Sequence, residues 1–113
     1  MSLDVYLEKP KCSTCGHVGL VYEANITHNL GPMAKEAGIY AALWRPEEVG
    51  ITTARQVAEA CRPGLADLRA RPEHYRTFDA VNGWGRYENL VEWADRYIAA
   101  CDENGDAIVR VWR

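Results

Sequence analysis

Two alternating segments come before any helical pattern in this chain, and that order most restricts its fold. Residues 3 to 8, LDVYLE, set Leu3, Val5 and Leu7 on one side and Asp4, Tyr6 and Glu8 on the other, the period of a half-buried strand. From Val18 a second segment sets Val18, Leu20, Tyr22, Ala24, Ile26 and His28 on one parity. Gly19, Glu23, Asn25 and Thr27 fall on the other, with Val21 as the exception. Only the loop Cys12 to Gly19 joins the two segments beyond Lys9-Pro10-Lys11, so they are expected to pair as an antiparallel hairpin, with His28 closing the core-facing row.

Helical spacing takes over from there. Asn29 is placed to cap a helix that tolerates Pro32 in its first turn, and Leu30, Met33, Ala34, Ala37, Ala41 and Trp44 recur at intervals of three and four. Gly38 is expected to end this helix early, leaving Ile39 to Trp44 as a separate turn before Pro46. Thr53 and Gln56 have the spacing of a capping box. The apolar stripe Ala54, Val57, Ala58, Cys61, Leu65, Leu68 follows, interrupted by Pro63, which predicts two short helices or one kinked helix.

Pro72 starts another short turn through Tyr75, and DAVNGWG, residues 79 to 85, reads as a loop with at least one left-handed residue. Tyr87, Leu90, Val91, Ala94, Tyr97, Ile98 and Cys101 form the clearest amphipathic helix, Asn104-Gly105 stops it, and Ala107 to Trp112 reads as a last strand. With no repeated βαβ unit, the expectation is an α+β fold. A small antiparallel sheet, the N-terminal hairpin plus the C-terminal strand, carries helices on one face.

The 113 residues suit one domain, 1–113, and 48% hydrophobic with 26% charged residues suits a globular one. A formal charge of −3 gives no field for a polyphosphate backbone. Arg62, Arg69, Arg71 and Arg76 cluster but are interrupted by Asp67 and Glu73, so no nucleic-acid partner is expected. No apolar run approaches the roughly 20 residues of a membrane span, and MSLDVYLEKP lacks the hydrophobic region of a secretory signal. The expected setting is cytoplasmic, with no membrane partner. There the four cysteines stay reduced, which favours metal binding or plain burial over disulfides.

Two places could carry chemistry. In Cys12-Ser13-Thr14-Cys15-Gly16-His17 the two-residue gap lets both thiolates face one ion, with His17 as third ligand and the fourth from Cys61, Cys101, His74, a carboxylate or water. Zinc is the metal such a knuckle would take, in a closed structural site or an open catalytic one; plain reduced cysteines are the alternative. His28 is excluded from this group, because a strand from Leu20 to His28 separates its ends by about 26 Å. The second place is the end of that strand, where Asn25, Thr27, His28 and Asn29 lie next to helix amides suited to an anion. If Asn82 and Trp84 of the glycine loop fold over it, a small-ligand pocket results; otherwise Asn29 is only a cap and Trp84 only core. No nucleophile elbow, phosphate loop, dinucleotide fingerprint or H-E-x-x-H is present. His28 as a base would need an orienter such as Asp4 or Asp79.

The phrases NITHNLGPMAKEAGIYAALWRPEE, NGWGRYENLVEWADRYIAAC and DAIVRVWR resemble a family of small uncharacterised proteins of bacteria and their phages, over most of the chain. That family has no assigned activity, so the resemblance supplies no catalytic residues. It implies that NITHN and NGWG belong to one shared feature, and a host-modulating role. The expected function is a small soluble, non-enzymatic binding or interaction protein, zinc-stabilised at one end, whose partner is a protein. The alternatives are a protein or hydrolase taking a small anionic ligand beside His28 and the loop from Asn82 to Gly85, and an accessory subunit that dimerises.

Overall fold

The computed structural model describes residues 2–9, 19–79, 83 and 85–113. The order of elements is β1 (Ser2–Glu8), β2 (Leu20–Thr27), a 3-10 turn His28–Leu30, α1 (Gly31–Ala37), α2 (Tyr40–Trp44), a second 3-10 turn Pro46–Val49, α3 (Ala54–Ala70), α4 (Pro72–Arg76), α5 (Tyr87–Glu103) and β3 (Ile108–Trp112). The three strands form an antiparallel sheet in the order β2-β1-β3. This is the expected α+β architecture: the N-terminal strand sits in the middle, flanked by its hairpin partner and by the last strand.

Leu3, Val5 and Leu7 of β1 are fully buried and face the helices with Ile26, while Asp4, Tyr6 and Glu8 lie on the opposite, open face. Leu20 departs from the expected parity. The register shifts between Leu7, opposite Tyr22, and Glu8, opposite Leu20, so one extra residue is absorbed and Leu20 turns outward at 53% exposure. Val21, the exception in the alternation, is the bulged residue, and it packs partly on the core.

The helical layer follows the apolar stripes. Gly38 ends α1 in the left-handed region (φ 78°), and α2 restarts two residues later. The Gln56 side chain accepts from the amides of Thr52 (2.7 Å) and Thr53 (3.0 Å), which opens α3 as its spacing predicts.

Pro63 does not divide α3, which runs unbroken over 17 residues. The carbonyl that Pro63 leaves without its helical donor belongs to Glu59, on the exposed face, where water can satisfy it. Gly64, next in line, is buried where α3 meets the α1–α2 junction. A Cβ there would lie 2.4 Å from the Ala37 carbonyl oxygen and 2.4 Å from Ile39 Cγ2. The glycine therefore sets how closely these helices approach.

The four clustered arginines are all ion-paired on this surface. Arg62 and Arg69 of α3 reach Asp102 and Asp95 of α5, Arg71 pairs with Asp67, and Arg76 pairs with Glu73 and Glu88. Exposed pairs of this kind are screened by water and salt and contribute little to stability. No helix among the described residues is long and apolar enough to cross a membrane.

Candidate functional site

The turn after β2 gathers the candidate residues. Thr27 caps it, its hydroxyl accepting from the amide of Asn29 at 3.2 Å. Asn29 is therefore a member of the 3-10 turn and does not cap α1, whose N-terminal flanking residue is Leu30. The expected cap is displaced because the chain tightens into a 3-10 turn before the α-helix begins. His28 likewise leaves the strand at this point. It is half-buried and does not close the core-facing row of β2.

The glycine loop does reach this turn. Asp79 accepts from the amide of Tyr87 at 2.7 Å and Asn89 from that of Arg86 at 3.1 Å, which ties both ends of the loop to the start of α5. Gly85 (φ 121°) is buried against the turn, where a Cβ would lie 3.2 Å from Asn29 Cβ and 3.4 Å from Leu30 Cγ. Gly83 is also left-handed (φ 77°). Asn82 and Trp84 lie outside the described residues, as do Cys12, Cys15 and His17 of the expected knuckle.

The turn separates two clefts. Asn25 and Thr27 border one of about 370 Å³, together with Leu30, Gly83, Gly85 and the α5 residues Asn89, Glu92, Trp93 and Arg96. Much of its polar lining is already engaged: Asn25 donates to Ser2 Oγ (2.8 Å) and Asp4 Oδ1 (2.6 Å), and Arg96 pairs with Glu92. His28 borders the other, of about 430 Å³, with Gly31, Pro32, Lys35, Tyr40, Trp44, Arg45 and Arg113. The single pocket expected from the sequence is thus divided, with His28 on one side and Asn25 and Thr27 on the other.

In the His28 cleft, Trp44 is 1% exposed and its Nε1–H donates to His28 Nδ1 at 2.9 Å. A ring that accepts at Nδ1 carries its proton at Nε2 when neutral, so it offers a donor where a general base would need a lone pair. Neither expected orienter is involved: Asp4 is bound by Asn25 and Asp79 holds the start of α5.

The remaining polar lining consists of cations and a phenol. Lys35 Nζ lies 4.6 Å from the centroid of the Tyr40 ring, which stacks on Trp44 at 5.2 Å, and Lys35 makes no ion pair among the described residues. Arg45 binds Glu48 at 2.8 Å; this bond, followed by one to the Tyr40 hydroxyl, raises its pKa. Arg113 donates to the carbonyl of Trp44 at 2.8 Å and pairs with Glu47, whose carboxyl is held below its usual range first by a bond from its own backbone and then by Arg113.

Sequence reasoning missed Lys35, Tyr40, Trp44, Arg45 and Arg113. Trp44 read as helix core, which it is, and nothing local marks Arg113, brought here from the far edge of the sheet.

The proposed fourth metal ligands have other roles. Cys61 and Cys101 are buried core residues of α3 and α5 whose thiols burial pushes up to about 12, and His74 binds Glu36 at 2.6 Å. Among the described residues no group of three or more His, Cys, Asp or Glu could hold a metal ion.

Comparison with protein-family models, with curated proteins and with solved structures returns no match.

Proposed function

We propose that this protein binds a small anionic ligand in the cleft beside His28. The observation that carries the reading is the bond from Trp44 to His28 Nδ1, which turns the ring into a donor among Lys35, Arg45 and Arg113. A cleft whose side chains offer N–H and O–H donors and fixed positive charge is complementary to an oxyanion. Its volume lies in the range of small-molecule sites. Arg45 and Arg113 are paired with Glu48 and Glu47 at the cleft's rim, so Lys35 supplies its uncompensated charge.

The geometry favours binding over the hydrolase alternative, because the His28 ring holds its proton where a base would need to accept one. Titration with inorganic phosphate, followed by amide and side-chain NMR, tests the reading. The expected result is saturable shifts at His28, Lys35, Arg45 and Arg113, with K35Q and R113Q each weakening binding about tenfold. Shifts confined to other surfaces, or none at millimolar phosphate, would overturn it.

A further inference from the structure

Arg113 also borders a second cleft. This one, of about 310 Å³, is lined by Pro46, Glu47, Ile51 and the strand residues from Val109 through Arg110, Val111 and Trp112. Five consecutive residues of the last strand and its end contribute to it, although their side chains alternate in direction. The shared surface is therefore the outer backbone edge of β3 past Val109, whose own amide donates to the Thr52 carbonyl at 3.0 Å. Trp112 stands at this edge with 70% of its surface bare, the most exposed large apolar side chain among the described residues.

We infer that the anion of the His28 cleft is the phosphate of a nucleoside monophosphate, whose sugar passes Arg113 and Glu47 and whose base lies in the β3-edge cleft against Trp112. The inference rests on the anion-binding reading and adds the identity of the ligand. Three observations lead to it.

The donors come from separate directions: the 3-10 turn (His28), α1 (Lys35), the residue after α2 (Arg45) and the residue after β3 (Arg113). A carboxylate presents two oxygens in one plane, whereas a phosphate monoester presents three terminal oxygens in a pyramid and close to two negative charges, so it suits donors brought by separate elements, with Arg45 and Arg113 sharing theirs with Glu48 and Glu47.

Arg113 lines both clefts, so a phosphate held by it has its ester substituent directed into the His28 cleft or into the neighbouring one. The neighbouring cleft has the apolar walls, with Pro46, Ile51, Val109 and Val111, and the bare indole of Trp112 leaves the strand from its other face at the same edge. A flat aromatic base gains most from such a surface, and stacking of this kind tolerates any base.

Glu47, an acceptor-only carboxylate, borders the second cleft and is held there by Arg113. It would repel a second anionic group there and accept from hydroxyls, as a ribose or deoxyribose provides.

Calorimetric titration of the full chain with adenosine, inorganic phosphate and adenosine monophosphate tests the inference. The nucleotide is expected to bind about tenfold or more tighter than phosphate. W112A, at so exposed a position, is expected to keep the melting temperature of the parent and to lower nucleotide affinity to the level of phosphate. Equal affinity for nucleotide and phosphate, or W112A retaining the nucleotide's advantage, overturns the inference while the anion site stands. Absence of phosphate binding removes both.

Discussion

The indole nitrogen of Trp44 donates to Nδ1 of His28 at 2.9 Å, joining the buried end of α2 to the turn that leaves β2. The bond gives the imidazole one tautomer and one orientation. In the neutral ring, nitrogen-15 spectra should show Nε2 protonated and Nδ1 bare. W44F removes the donor and part of the buried volume, at a cost of about 2 kcal/mol in stability, and should weaken phosphate binding severalfold by freeing the ring to rotate. A ring found protonated at Nδ1 would contradict the arrangement.

Gly64 makes a second, purely steric prediction. Its α-carbon faces the Ala37 carbonyl and Ile39 so closely that an added methyl would lie 2.4 Å from each. One obstacle is backbone, so a side chain cannot simply swing away. Gly64→Ala should destabilise by about 1–3 kcal/mol despite alanine's better helix propensity, read as a fall in the denaturation midpoint. An unchanged or raised midpoint would mean that α3 is not held against the α1–α2 junction.

What the sequence made legible follows from which signals are local. The alternation of LDVYLE, the stop at Gly38, the Thr53–Gln56 opening of α3 and the stripe of α5 each depend on neighbours within a turn or two, and each appears where its period places it. Leu20 was misread because a single bulged residue reverses the parity of everything on its far side. Of the two outcomes Pro63 allows, two short helices or one kinked helix, α3 stays a single helix, because the orphaned carbonyl of Glu59 lies on its exposed face. The site shows the same divide. NITHN and NGWG were visible as phrases, and Gly85 does pack on Asn29, yet the cations around His28 come together only through the third dimension.

The junction of α3 and α4 carries a pH signature. Asp67 accepts from Nε and Nη2 of Arg71 and from the Tyr75 hydroxyl; the Arg71 bonds foremost, then Tyr75, hold its carboxyl at about 2 against an ordinary 3.8. A carboxyl lowered in the folded state stabilises it fully above the unfolded value and loses that contribution as the pH falls through the folded value. The stability difference between the parent and D67N should be constant above about pH 5 and shrink steadily between about pH 4 and about pH 2. A difference that does not change over this window would rule out the clamp.

The buried thiols offer the last test. Cys61 and Cys101 face each other's helices in the core at 1% and 0% exposure, and desolvation raises both to about 12. At pH 8 roughly one such thiol in ten thousand is ionised, and the thiolate is the form that reacts. Peptide mapping after iodoacetamide treatment of the native protein should therefore find Cys61 and Cys101 unmodified, with both becoming labelled once denaturant exposes them. Modification of either within minutes under native conditions would mean that the α3–α5 interface opens locally.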